Sequence, residues 1–230
     1  MEIIPVIDVR NGVAVRAVAG HRADYRPLNT PLAEGCDPIG VALGFGSLFP
    51  FATIYVADLD GIEGRGANAA LQHRLAAAWR GSEVWIDDGS RVAARGALRG
   101  GVSVVGSESL LSPLPLMDGE REREAWVLSL DFRGEEFLGP RELLDDAGLW
   151  PDRVIVMTLA RVGTGGGPDL GRVGEIIRRA GARRVYAAGG VRDRDDLCAL
   201  RAAGAAGALI ASALHDGAIK TGDLEEIAGS

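Results

Sequence analysis

Cysteine is scarce in this chain. Cys36 and Cys198 are its only thiols. Two isolated cysteines make neither a disulfide framework nor a zinc site, so a reducing, cytoplasmic setting is expected. Aromatic residues are scarce as well, at 5%, which leaves the core to aliphatic side chains. Long apolar runs are missing: no stretch has the length of a membrane span, and MEIIPVIDV does not read as a signal peptide. An excess of positive charge is also absent. A net charge of −7 argues against a nucleic-acid or anionic-membrane partner, because a phosphate backbone needs a basic footprint. One small phosphate remains compatible, since a few backbone N–H groups can hold it. The three histidines, His21, His73 and His215, are not spaced as metal ligands, and no Ser/His/Asp or Cys/His arrangement is evident. Neither metal nor cofactor is expected.

What the chain does have is glycine (33 residues), alanine and a 47% apolar content over 230 residues. Small residues suit tight loops and close contacts between helices and strands. The length fits one α/β barrel better than one sandwich. Short apolar runs occur at 3–7, 52–57, 83–86, 102–105, 126–130, 153–157, 184–188 and 207–211. They are continuous in Val, Ile and Leu, as strands buried on both faces are. Helices are expected between them at 38–49, 67–80, 90–99, 114–124, 140–148, 169–180, 193–203 and 222–228. Asp169 and Asp193 are placed to cap two of these, and Gly181 and Gly204 to end them. Eight strands alternating with eight helices predict a single (β/α)8 TIM barrel over 1–230. The loop at 20–37 is the longest.

The two halves resemble each other, at about 1–124 and 125–230. PVIDVR (5–10) parallels LSLDFR (128–133), and SVVGSESL (103–110) parallels ALIASALH (208–215). VWIDDGSRV (84–92) parallels VYAAGGVRD (185–193), and Asp87-Asp88 is expected to occupy the turn where the second segment has Gly189-Gly190. Such an internal half-barrel duplication places Asp8 and Asp131 at equivalent ends of the first and fifth strands. Active sites of these barrels lie at the C-terminal strand ends. Two opposed carboxyls there can act as general acid and base on a small molecule; the plainer reading is loop capping, or pairing with Arg10 and Arg133. Gly189-Gly190 and Ala211-Ser212 offer a phosphate cradle at the last two strands; the plainer reading is a tight turn.

IPVIDVRNGVAVR (4–16), YVADLDGIEGRGAN (55–68), WVLSLDFRG (126–134) and AAGGVRDRDDLCALRAAGAAGALIASALHDG (187–217) resemble the HisA/HisF family over almost the whole chain. The DLDG stretch is similar to its isomerase branch, ProFAR isomerase of histidine biosynthesis. The resemblance implies an Amadori rearrangement of an aminoaldose to an aminoketose. It implies Asp8 and Asp131 as the proton-transferring pair and Thr158 as their helper. It further implies a substrate with two phosphates. Arg16, Asp58, Asp87, Asp88, Gly106 and Ser107 are expected around the substrate.

Three departures qualify this. A glycine-rich turn after the third strand is replaced by Asp87-Asp88-Gly89-Ser90-Arg91. Leu159 and Val162-Gly163 stand where the isomerase has Asp and Asp-Gly. The loop after the fifth strand (132–140) is short. A phosphate about 4 Å from one carboxylate costs roughly 4 kcal/mol at an effective dielectric near 20. The third-strand end is therefore expected to reject phosphate and to suit an amine or cation. The alternative at this turn is a hydrogen-bonded Asp87 with Asp88 capping the next helix. The expected function is a HisA-like isomerase acting on a small, phosphorylated, sugar-like or amine metabolite bound at the last two strands. The alternatives are ProFAR isomerase itself, a HisA-related protein of methanofuran- or methanopterin-type coenzyme synthesis, and a non-catalytic metabolite-binding barrel. Oligomerisation is left open.

Overall fold

The structure is a computed structural model that describes residues 1–91, 101–113 and 126–229. The expected helices at 90–99 and 114–124 lie outside the described residues, apart from the half-buried Ser90 and the exposed Arg91. Strand β1 (Glu2–Arg10) turns back through β2 (Val13–Arg16), which pairs in turn with β3 (Arg26–Pro27). Next along the barrel come β4 (Thr53–Asp58), β5 (Glu83–Asp87), β6 (Gly101–Gly106) and β7 (Trp126–Arg133). A short β8 (Glu136–Leu138) folds back on β7. Strands β9 (Arg153–Thr158), β10 (Arg184–Ala188) and β11 (Gly207–Ile210) complete the ring. Eight of these strands run parallel, and β11 pairs with β1, so the sheet closes on itself.

Closure explains the unbroken apolar runs. Each strand points alternate residues into the barrel and out toward the helices. Ile4, Tyr55, Trp85 and Val104 fill the interior from the first half. Val127, Ile155, Tyr186 and Leu209 fill it from the second. The outer layer buries residues such as Ile7, Ile54, Leu128 and Val156 against the helices.

Those helices are α1 (Pro38–Leu48), α2 (Leu59–Ile62), α3 (Ala69–Ala78), α4 (Arg141–Asp145), α5 (Leu170–Ala180), α6 (Arg194–Ala202), α7 (Ser212–His215) and α8 (Thr221–Ala228). Asp169 caps α5 by accepting from the Arg172 N–H at 3.1 Å, and Asp193 does the same for α6 with Asp196. Gly181 ends α5 at φ 63°, a conformation that favours glycine. The helix expected at 140–148 breaks after Asp145, because the Asp146 carboxylate takes the Gly148 N–H at 2.7 Å and starts a separate 3-10 turn.

The half repeat is visible in the backbone. Asp8 lies opposite Val15 in the β1–β2 hairpin, and Asp131 lies opposite Leu138 in the β7–β8 hairpin. The strand ends correct one detail of the sequence comparison. β5 ends at Asp87 and β10 at Ala188. Asp87 therefore matches Ala188, and Asp88-Gly89 matches Gly189-Gly190. The glycine turn is half retained: Gly89 and Gly190 both have positive φ, at 73° and 88°.

Candidate active site

The C-terminal strand ends surround a cavity of about 360 Å³. Asp8, Asp87 and Asp131 line it from β1, β5 and β7, because each sits on the inward-facing register of its strand. Asp131 is 4% exposed and held firmly. Its Oδ1 accepts from Ser129 Oγ at 2.6 Å, and its Oδ2 accepts from the Glu108 N–H at 3.0 Å. Its own N–H donates to Ser107 Oγ at 2.9 Å, while that hydroxyl donates to the Leu138 carbonyl at 2.6 Å. Asp8 is held differently. Among the described residues no hydrogen bond reaches its carboxyl, and the Arg22 guanidinium is the cation whose charge bears on it.

Burial dominates the titration of all three. It pushes Asp8 up to about 7, with Arg22 opposing. It pushes Asp131 up to about 8, with the Glu108 charge adding and the Ser129 hydrogen bond opposing. It pushes Asp87 up to about 7, with the Gly89 N–H opposing and the Glu108 charge adding. These values fall in the range where a carboxyl can both give and take a proton near neutral pH.

The same shifts set a sign for stability. Each folded-state carboxyl titrates above its usual 3.8, so the native state holds protons that the unfolded chain has already lost. That stabilisation is complete below about pH 4 and is lost as pH rises through 7 to 8. Buried His215, lowered to about 4, works the other way but only below about 6.5. From pH 6.5 to 8.5 the urea midpoint is expected to fall, and to fall less in Asp87→Asn. A midpoint that climbs across that interval would contradict the assignment.

Of the two acids at the end of β5, only Asp87 reaches the cavity. Its Oδ2 accepts from Tyr55 Oη at 3.2 Å and its Oδ1 from the Gly89 N–H at 3.2 Å. Asp88 stays out of the cavity and shapes the turn, taking the Ser90 N–H at 3.0 Å. The turn itself is covered. A Cβ on Gly61 would lie 2.3 Å from the Asp88 carbonyl, and one on Gly89 would lie 2.7 Å from the Gly61 carbonyl. Helix α2 thus seats its backbone directly on residues 88–89, and its Leu59 and Ile62 face the cavity instead.

Gly189, Gly190, Ala211 and Ser212 line the opposite side, together with Arg16. A Cβ would lie 2.5 Å from the Thr158 carbonyl at Gly189 and 2.2 Å from the Gly167 carbonyl at Gly190. Both glycines are therefore fixed by close backbone approach as well as by positive φ. Arg16 forms a bidentate pair with Asp216, at 2.8 and 3.1 Å.

The remaining candidates lie behind the cavity wall. Met157 and Leu159 line the cavity, but Thr158 between them is 3% exposed and shares the outward register of Phe132. Asp58 is 1% exposed and serves the loop after β4. It accepts from the Gly61 N–H, the Asn68 backbone and side chain, and Gln72 Nε2. Gly106 and Ser107 are buried beneath Asp131.

Sequence reasoning missed Glu108, Arg22, Tyr25 and Tyr55, all of which line the cavity, and it considered Arg133, which also lines it, only as an ion-pair partner for Asp131. Glu108 binds Arg22 at 2.5 Å, which ties the long loop after β2 across the mouth to the end of β6. One signal was available: in the internal repeat Glu108 stands opposite Ala213.

The histidine biosynthesis protein family model matches residues 2–220. An uncharacterized protein of Methanocaldococcus jannaschii is 28% identical, over 99% of this chain and 97% of its own length. A protein of Pyrobaculum aerophilum named as the isomerase of the bis-phosphoribosyl imidazole carboxamide intermediate (ProFAR isomerase) is 32% identical, over 95% and 97%. A Myxococcus xanthus protein of the same name is also 32% identical, over 94% of each chain. Among the described residues no helix is long and apolar enough to cross a membrane.

Proposed function

The chain belongs to the histidine biosynthesis protein family, the HisA/HisF group, and from that premise we propose that it is an aminoaldose–aminoketose isomerase whose substrate is anchored by one phosphate. Asp8 and Asp131 are the proton-transferring pair. One protonates the ring oxygen of the sugar, and the ring opens to a protonated imine. The other removes the C2 proton, giving an enolamine. Returning that proton to C1, while the C2 hydroxyl gives its own proton to the carboxylate that acted as acid, yields the aminoketose, so the sequence neither consumes nor releases a net proton.

The observation that carries this reading is that the two acids enter one cavity from opposite halves of the ring, both shifted into the neutral range. A Schiff-base route through the protein has no nucleophile, since the chain's only lysine, Lys220, lies outside the cavity. Thr158, with its outward register, would act only by steadying the wall at the end of β9.

The single anchoring phosphate is assigned to Gly189, Gly190, Ala211 and Ser212. At the other side Asp87, Glu108 and Asp131 face the cavity, and α2 covers the turn at 88–89. An ionised Asp87 would repel a phosphate, and a protonated one would still offer no cation to hold it. Inorganic phosphate followed by 31P NMR tests the assignment. One phosphate per chain is expected, weakened at least tenfold by Ser212→Asp. Two per chain, or unaltered binding in that variant, would overturn it.

The names and identities of the relatives favour a second reading, ProFAR isomerase with its bisphosphate substrate. Robust growth of a histidine auxotroph lacking that isomerase, on supplying this chain, would select it over the first.

A further inference from the structure

Asp87 is a buried, cavity-facing acid that the two-aspartate mechanism does not use. It is 7% exposed, on β5, with Asp131 (4% exposed) on β7 and β6 running between them. The residue that separates the two carboxyls is Gly106. A Cβ there would lie 3.1 Å from Asp131 Oδ2 and 3.3 Å from Asp87 Oδ2. Gly106 has an ordinary extended backbone, φ −77° and ψ 130°, so no turn requires glycine at this point. The missing side chain leaves room for the two oxygens to lean toward each other over β6.

The surrounding charges do not neutralise them. Glu108 follows β6 and adds negative charge to both. Asp88 adds to Asp87 from the adjoining turn. Asp8 faces the same space from β1, and the Tyr55 hydroxyl donates to Asp87 from β4. Tyr25 lines the cavity from the long loop. Of the nearby cations, Arg22 is engaged with Glu108 and Glu63. Arg133, at the end of β7, lines the cavity, but it makes no salt bridge to Asp87 or Asp131 among the described residues. Two buried carboxyls without a counter-ion cannot both ionise at modest cost.

We infer that Asp87 and Asp131 act as one unit across Gly106, sharing a single proton at neutral pH, so that Asp87 is the positioning residue that keeps Asp131 a proton donor while Asp8 serves as the base. The consequence for catalysis rests on the isomerase reading above; the coupling itself does not. In the reaction, Asp131 gives the pair's one proton to the ring oxygen as the C–O bond breaks; the pair then carries two negative charges, and the positive charge of the protonated imine formed in the same step offsets the second. Asp8, ionised and free of hydrogen bonds, takes the C2 proton. Glycine at position 106 is thereby assigned a spacing role between two acids.

The test is a side-chain carbon NMR titration of the 13C-aspartate-labelled protein, without substrate, from pH 4 to 10. In the wild-type chain the Asp87 and Asp131 carboxyl signals are expected to share two-step curves, the behaviour of a coupled pair. Asp87→Asn is expected to lower the Asp131 midpoint by about one pH unit or more. Asp131→Asn should lower the Asp87 midpoint by the same amount, because coupling is reciprocal. Asp8→Asn should leave both midpoints in place. Independent one-step curves in the wild-type chain would overturn the inference, and that readout needs no variant to fold. So would an Asp131 midpoint unmoved by Asp87→Asn, or one moved as far by Asp8→Asn. Because no turnover is measured, failure here is separate from failure of the isomerase assignment.

Discussion

Asp8→Asn is expected to lower turnover of an N-substituted phosphoribosylamine to its aminoketose by about 10²–10⁴-fold, the range for removing a positioned acid or base. Asp131→Asn should cost about as much, but the two variants differ in what else they lose. Asp8 carries no hydrogen bond among the described residues, so an amide in its place disturbs nothing that holds the fold. Asp131 accepts from both Ser129 Oγ and the Glu108 N–H. An asparagine can accept from only one of them and turns its NH2 toward the other donor. Asp131→Asn should therefore lose stability as well as activity, whereas Asp8→Asn loses activity alone. Rates followed by product absorbance, alongside urea unfolding of each variant, make the comparison. Retention of more than a tenth of wild-type turnover by Asp8→Asn would remove it from the chemistry.

Trp85→Ala is expected to destabilise the protein by about 3–5 kcal/mol, as truncation of a buried aromatic residue does. Trp85 fills the barrel interior at 1% exposure. Its ring meets Tyr186 edge-on at 5.0 Å, and the Arg153 guanidinium lies over it at 5.3 Å. Its Nε1 donates to Glu83 Oε2 at 2.9 Å, and the same carboxylate binds Arg153 at 2.8 Å. Truncation removes the apolar floor beneath a cation that is itself 5% exposed. The neighbouring strands are locked into a closed ring and cannot collapse into the gap. Chemical denaturation measures the loss, and a value under about 1 kcal/mol would mean that the interior repacks freely.

The barrel was legible because its strands are buried on both faces and separated by capped helices. Eight runs of Val, Ile and Leu mark all eight parallel strands to within a few residues. The hairpin strands β2, β3 and β8 were not legible, since two to four residues carry no period. The inward pair Asp8 and Asp131 could be placed from the repeat, but Thr158 could not. Counting by twos from Ile155 through Met157 puts Thr158 on the outer face. The match of Asp87-Asp88 to Gly189-Gly190 slipped by one residue because glycine marks a turn without marking the last paired residue of a strand. Glu108 and Arg22 stand 86 residues apart in sequence, and no local pattern links them. Whether Asp58 and Ser107 touch substrate or steady the wall likewise depends on which neighbours arrive from elsewhere in the chain.

The two hairpins hold equivalent places in the half repeat, with Asp8 opposite Val15 in one and Asp131 opposite Leu138 in the other. A small molecule turned end for end would meet the same two acids with their duties exchanged, so the acids themselves cannot choose its polarity. That choice falls to the strand ends flanking them, where Asp87 and Glu108 on one side stand opposite Ala188 and Ala213 on the other. On the isomerase reading, binding direction in this barrel is set where its two halves differ.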